Sequence, residues 1–111
     1  MKPGIAFLIL LAAAVLEAGG DAIVRRGLHH HGLAVRLCLI VAGGLVLTAY
    51  GVTVNLPPWD FCRLLGIYVT LFFLVAQIIN GVVFGVAPSL PILVGGLLIV
   101  SGGLIMTVWR G

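Results

Sequence analysis

Two of the three acidic residues of this chain, Glu17 and Asp21, fall inside one long apolar segment, and only Asp60 lies outside it. Glu17 lies roughly 4–5 Å past the midpoint of that segment at 1.5 Å per helical residue. A carboxylate so deep in a membrane costs several kcal/mol unless it is protonated, paired or hydrated. We therefore predict that Glu17 exchanges a proton for a solute. The alternative is a protonated, hydrogen-bonded carboxyl with only a structural role.

Asp21 follows Glu17 by four residues, so both side chains share one face of a helix. Arg25 extends that face by a further turn. We predict that Asp21 belongs to the same proton and substrate site. The alternative is that Asp21 and Arg25 form an ion pair at the membrane surface.

Polar side chains in the second and third apolar segments complete the candidate site. Gln77 and Asn80 are three residues apart and share a face, and Tyr68 lies toward the other end of the same segment. Tyr50 can donate a hydrogen bond to a carboxylate or offer its ring to a cation. Polar residues of spanning helices turn toward the bundle or a cavity, where they bind a ligand or join helices. We predict that all four bind the proton or the substrate. Helix joining by Gln77 and Asn80, and interfacial anchoring by Tyr50, are the alternatives.

The histidine run His29–His31 superficially resembles a metal site, but adjacent loop residues do not define a coordination geometry. The sequence has no serine–histidine, paired-acid or cysteine–histidine spacing typical of catalysis. We expect no enzyme activity, no cofactor and no metal.

The composition places all these residues in a membrane protein. Of 111 residues, 62% are hydrophobic and 8% are charged, against about 50% apolar and about 25% charged in soluble domains. A chain so short cannot hide that much apolar surface in one core, so lipid must cover it. The net charge of +3 forms no basic stripe, which gives no case for nucleic acid.

Four segments have the roughly 20 apolar residues that a spanning helix needs: 5–24, 33–54, 64–86 and 90–109. Between them lie an arginine–histidine stretch, a loop containing Pro57 and Pro58, and a tight turn around Pro88. The N-terminal segment resembles a signal peptide, but its two acids favour a retained helix. The sequence predicts one all-α domain over 1–111, a four-helix transmembrane bundle that crosses the cell (inner) membrane several times.

The distribution of positive charges between the two sides of the membrane does not predict an orientation for these helices. One side of the membrane carries Lys2, Arg63 and Arg110, and the other carries Arg25, Arg26 and Arg36. Such a balance arises by chance in a short chain, or it indicates dual topology and an antiparallel homodimer.

Paired glycines mark the last segment. Gly95 and Gly96 recur as Gly102 and Gly103 after seven residues, which is two helical turns. Small residues let helices approach closely in lipid. We predict that these four glycines form the dimer interface, the alternative being a contact within the chain.

These features together resemble the small multidrug resistance family of the drug/metabolite transporter superfamily, especially its YnfA-type branch. The likeness rests on LEAGG at 16–20, GIYV at 66–69, INGV at 79–82 and GGLLIVSGG at 95–103. It implies a proton-coupled exporter that works as an antiparallel dimer, with Glu17 shared by proton and substrate. The tryptophan typical of the third helix in the multidrug exporters is replaced here by the region of Tyr68.

The expected function is a secondary transporter that exchanges protons for a small cationic or polar solute. In a dimer, two Glu17 carboxyls would titrate as one coupled unit. Its partners would be membrane lipid, a second copy of the chain and the solute. Two rivals remain: an interaction subunit that assembles through its glycine faces, and a lipid-carrier flippase subunit with Arg36 as its cationic residue.

Overall fold

The computed structural model describes residues 2–109, and that range contains four α-helices: α1 (Pro3–Leu28), α2 (Leu33–Val54), α3 (Phe61–Val83) and α4 (Leu90–Val108). All four are long and apolar enough to cross a membrane. The predicted all-helical class is confirmed, and the chain is a multi-pass membrane protein by helix length and composition. Arg110, which entered the predicted charge balance, lies outside the described residues.

Helix α1 is longer than the predicted 5–24 at both ends. Pro3 occupies the first turn, where its missing N–H costs no hydrogen bond. Arg25 and Arg26 stay helical because cations in the last turn complement the helix dipole. At about 39 Å for 26 residues, α1 exceeds the hydrocarbon core of a bilayer, so its arginines can reach the interface.

Helix α3 begins and ends three residues before the predicted 64–86. Its start is set by Asp60, whose carboxylate accepts a hydrogen bond from the Arg63 backbone N–H at 3.1 Å. Its end is set by Gly85, which has a positive φ of 65° that a side chain would disfavour. The bounds of α2 coincide with the predicted segment, and α4 ends one residue before the predicted 109.

The helices lie side by side in the spatial order α2, α1, α3, α4. Contacts join α1 to α2, α1 to α3 and α3 to α4, and within residues 2–109 no contact closes the layer between α2 and α4. The molecule accordingly measures 52 × 34 × 19 Å. The buried core follows the α1–α3 seam, where Leu10, Ala13 and Ala14 of α1 pack near Leu64 and Ile67 of α3. Most of the apolar surface of α2 and α4 is exposed and fits contact with lipid.

Glycines bring α1 and α2 into direct backbone contact. A Cβ atom on Gly43 would lie 2.5 Å from Val24 Cγ2 and 3.0 Å from the Gly20 carbonyl oxygen. A Cβ on Gly20 would in turn lie 2.9 Å from Leu47. Because the hydrophobic effect does not drive helices together in lipid, this close van der Waals contact holds the pair.

Helix α4 packs on α3 through only half of its paired glycines. Gly96 packs against the Phe73 ring and Gly103 against Thr70, so both glycines are in contact with α3 of the same chain. Gly95 and Gly102 have nothing within 4 Å of the position of a Cβ atom. The prediction of one four-glycine face between subunits is therefore corrected: successive helical residues point about 100° apart, and the two stripes serve different surfaces.

Two arginines donate hydrogen bonds to backbone carbonyl groups at the C-terminal ends of α3 and α4. Arg26 Nη2 of α1 donates to the Val83 carbonyl at the end of α3, at 2.9 Å. Arg63 Nη2 of α3 donates to the Thr107 carbonyl at the end of α4, at 3.3 Å. The last carbonyls of a helix have no partner in the helix itself, so each arginine fixes the axial position of a neighbouring helix.

Gly103→Leu and Gly102→Leu form a matched pair that tests the packing of α4. We expect Gly103→Leu to lower the free energy of unfolding by about 1–3 kcal/mol, because its side chain overlaps Thr70. Gly102→Leu should leave the monomer as stable as the parent, since its side chain enters open space. Circular dichroism during sodium dodecyl sulfate titration of mixed micelles measures both. Equal losses in the two variants would contradict the α3–α4 contact.

Candidate functional site

Glu17 lies near the middle of α1, and its carboxyl points toward α3. Since α1 starts at Pro3, Glu17 is only about 2 Å past the helix midpoint, closer than the sequence segment indicated. The Tyr68 hydroxyl donates a hydrogen bond to Glu17 Oε1 at 2.7 Å. The half-buried carboxyl thus has a neutral donor as its protein partner.

Helices α2 and α3 supply the aromatic residues around Glu17 of α1. The Tyr68 side chain is only 3% exposed. Its ring lies 5.8 Å from the ring of Tyr50 on α2 and 6.1 Å from the ring of Phe72, one turn further along α3. These contacts fix the direction of the Tyr68 hydroxyl. The structure therefore unites Glu17, Tyr50 and Tyr68 in one cluster, as their predicted membership of one site requires.

Helices α1 and α3 run in the same direction, so each end of their seam is formed by matching ends of both helices. Three contacts in register establish this: Phe7 with Trp59, Glu17 with Tyr68, and Arg26 with Val83. The Glu17–Tyr68 hydrogen bond lies between the other two contacts along the seam.

A cleft of about 350 Å³ occupies the C-terminal part of this seam and is here called the Asp21 cleft. It brings together Asp21, Gln77 and Asn80, three of the predicted site residues. Its lining consists of Ala18, Asp21, Ala22, Arg25, Phe72, Ala76, Gln77, Ile79, Asn80 and Phe84. Phe72 contacts Tyr68 as well, so the cleft adjoins the Glu17 cluster.

Arg25, which lines the Asp21 cleft, and its neighbour Arg26 both lie beside the ring of Phe84. Their guanidinium carbons lie 5.9 Å and 5.6 Å from the centroid of Phe84. In the part of the chain that the structure describes, no ion pair joins Asp21 to Arg25. The Arg25 side chain turns to Phe84 instead, and the surface ion pair stays an untested alternative.

A second cleft of about 370 Å³ lies at the opposite end of the seam and is here called the Trp59 cleft. It is lined by Pro3, Phe7, Trp59, Asp60, Arg63, Ile67 and Thr107. The Phe7 and Trp59 rings meet edge to face at 5.7 Å. Ile67 precedes Tyr68, so this cleft approaches the Glu17 cluster from the other side.

Several of these lining residues were not predicted. Trp59, Phe72 and Phe84 carried no predicted role in the site. The four-residue spacing of Tyr68 and Phe72 on one helix face is a signal that could have identified Phe72. Trp59 and Phe84 lie outside the helices, where helical periodicity cannot predict which way a side chain points.

The histidine run makes local contacts. His30 Nδ1 accepts a hydrogen bond from the Gly32 backbone N–H at 2.9 Å, which closes the turn between α1 and α2. Between Lys2 and Trp109, no group of three or more histidine, cysteine or acidic side chains could hold a metal ion.

Comparison of this chain with family models, curated protein sequences and solved structures finds no match. The resemblance to the small multidrug resistance family stays a prediction, carried by the motifs that contain Glu17, Tyr68, Asn80 and the α4 glycines. The chemistry of the site follows from its own residues. A half-buried carboxyl with one hydroxyl donor can hold a proton or, once ionised, a cation.

Tyr68→Phe removes the hydrogen bond to Glu17 and leaves the aromatic packing in place. We expect the free energy of unfolding to fall by about 1 kcal/mol. The infrared band of the Glu17 carboxyl, identified by its absence in Glu17→Gln, should shift in Tyr68→Phe. Thr53→Val is the matched control, because the Thr53 hydroxyl donates to the Ala49 carbonyl of its own helix and does not bond Glu17. An unshifted band in Tyr68→Phe would show that the two side chains do not interact in the membrane.

Proposed function

We propose that this protein is a small secondary transporter that exports a cationic or polar solute across the cell (inner) membrane in exchange for protons. The observation that carries the proposal is the Glu17 carboxyl, hydrogen-bonded to Tyr68 near the middle of α1. It lies between two clefts at opposite ends of one helix seam. A transporter needs an exchangeable group with approaches from both sides.

The exchange itself requires one carboxyl. Protonated Glu17 is neutral and accepts the hydrogen bond of Tyr68. A solute cation that enters displaces the proton, which leaves to water, and the carboxylate then holds the cation. Because one group serves both ions, each binding excludes the other, and this competition couples the two fluxes.

We propose that the working unit is a homodimer, antiparallel if both orientations insert. A single chain is an open layer whose shortest dimension is 19 Å, about two helix diameters, and cannot surround a solute. Among residues 2–109, nothing packs on the stripe of Gly95 and Gly102, which fits a close helix contact with a second copy. Gly102→Leu, the variant expected to spare the fold, should then yield helical monomers without transport.

Membership of the small multidrug resistance family, in its YnfA-like branch, is part of this proposal. It agrees with Glu17 on the first helix and with the small residues of α4. The same open glycine stripe also favours the rival function, a subunit that assembles with a larger complex. The lipid-carrier flippase has no such support, since Arg36 is exposed in the first turn of α2 and lines neither cleft.

Proteoliposomes containing only this chain separate transporter from subunit. An internal pH dye would follow an acid-inside gradient while choline, guanidinium or butyltrimethylammonium is added outside. We expect at least one of these cations to dissipate the gradient through the parent protein. Glu17→Gln should abolish this dissipation, because an amide cannot exchange a proton.

Thr48→Val is the matched control, because it removes a hydroxyl group outside the site and hardly changes the size of the side chain. The Thr48 hydroxyl bonds only the Gly44 carbonyl of its own helix. It should transport at the parent rate. Equal dissipation by Glu17→Gln and the parent, or none by the parent, would contradict the proposed function.

A further inference from the structure

The Asp21 cleft contains two opposite charges that do not neutralise each other. Asp21 and Arg25 are four residues apart on α1 and both line the cleft. Between Lys2 and Trp109, the Asp21 carboxylate makes no hydrogen bond or ion pair, and the Arg25 guanidinium carbon lies 5.9 Å from the centroid of the Phe84 ring. Side chains with this spacing can pair on a helix, so their separation leaves both charges available to a ligand.

The opposite wall of the cleft, which is mainly apolar, carries two polar side chains. Gln77 and Asn80 of α3 face this space, and a primary amide both donates and accepts hydrogen bonds. Phe72 and Phe84 add aromatic rings, which attract cations over their faces. The cleft therefore offers an anion, a cation and neutral polar groups within about 350 Å³.

We propose that the Asp21 cleft binds a zwitterionic solute, with Asp21 holding its cationic group and Arg25 its anionic group. The two groups would be separated by about one helical turn, roughly 5–6 Å. A simple cation would leave Arg25 without a counter-charge, and a simple anion would leave Asp21 without one. This inference rests on the proposed function and names the solute class of that transporter. The cationic group lies between Asp21 and Glu17, one helical turn apart, so that it also replaces the proton of Glu17 when the solute binds.

Three probes with one carbon skeleton test this assignment. γ-Butyrobetaine is the zwitterion, butyltrimethylammonium is its cationic analogue, and 5,5-dimethylhexanoate is its anionic analogue. Isothermal titration calorimetry of the detergent-solubilised parent protein at fixed pH gives the three affinities. We expect γ-butyrobetaine to bind at least about tenfold more tightly than either analogue. Its carboxylate accepts a charge-assisted hydrogen bond from Arg25 that butyltrimethylammonium cannot make, and its trimethylammonium group makes an ionic contact with Asp21 that 5,5-dimethylhexanoate cannot make.

Two variants assign the charges. Arg25→Gln should bind γ-butyrobetaine and butyltrimethylammonium equally well, because the counter-charge for the carboxylate is gone. Asp21→Asn should lose the preference for γ-butyrobetaine over 5,5-dimethylhexanoate. Arg36→Gln, outside both clefts, should keep both preferences, and circular dichroism checks that every variant is folded.

The zwitterion assignment fails if the parent protein binds butyltrimethylammonium as tightly as γ-butyrobetaine, or binds neither. It also fails if Arg25→Gln keeps the parent preference. The proposed transport fails separately, in the gradient assay with Glu17→Gln. A parent protein that dissipates the gradient but shows no zwitterion preference would therefore refute only the solute class.

Discussion

A carboxyl near the middle of a membrane helix must find its partner within the protein, and here Tyr68 supplies it. The hydroxyl reaches Glu17 only because α3 runs beside α1 in the same direction. Small alanine side chains of α1 let the two helices approach. Arg26 holds the far end of α3 through the Val83 carbonyl, and Asp60 fixes its start. The ends of the seam thus position the hydrogen bond at its middle.

The open helix layer follows from the same seam. Helices α1 and α3 contact each other, and each packs its backbone closely on one outer helix. Helix α2 also reaches α3 through the Tyr50 and Tyr68 rings. The outer faces of α2 and α4 remain uncovered in the described chain. Glycines determine these contacts, with Gly43 against α1 and Gly96 and Gly103 against α3. The layer leaves a cleft at each end of the seam, and the hydrogen bond between Tyr68 and Glu17 lies between the two clefts.

Periodicity and composition predicted the number and type of helices, because long apolar segments leave a chain in lipid little choice. The grouping of Glu17 with Tyr50 and Tyr68 agrees with the turning of polar groups away from lipid. The sequence did not separate Gly96 from Gly95, since which glycine stripe meets α3 depends on helix rotation. It also did not indicate that Arg25 would contact Phe84 rather than Asp21, because Phe84 lies far along the chain.

Carbodiimide modification of Glu17 tests the central claim, a proton site in competition with a cation, most directly. Dicyclohexylcarbodiimide is apolar and modifies protonated carboxyl groups, and mass spectrometry of the protein in bilayers would quantify its adduct on Glu17, with Asp60 as an internal reference. The account predicts modification of Glu17 that decreases as pH rises and decreases further when butyltrimethylammonium is added. An unmodified Glu17, or modification unaffected by pH and by the cation, would contradict it.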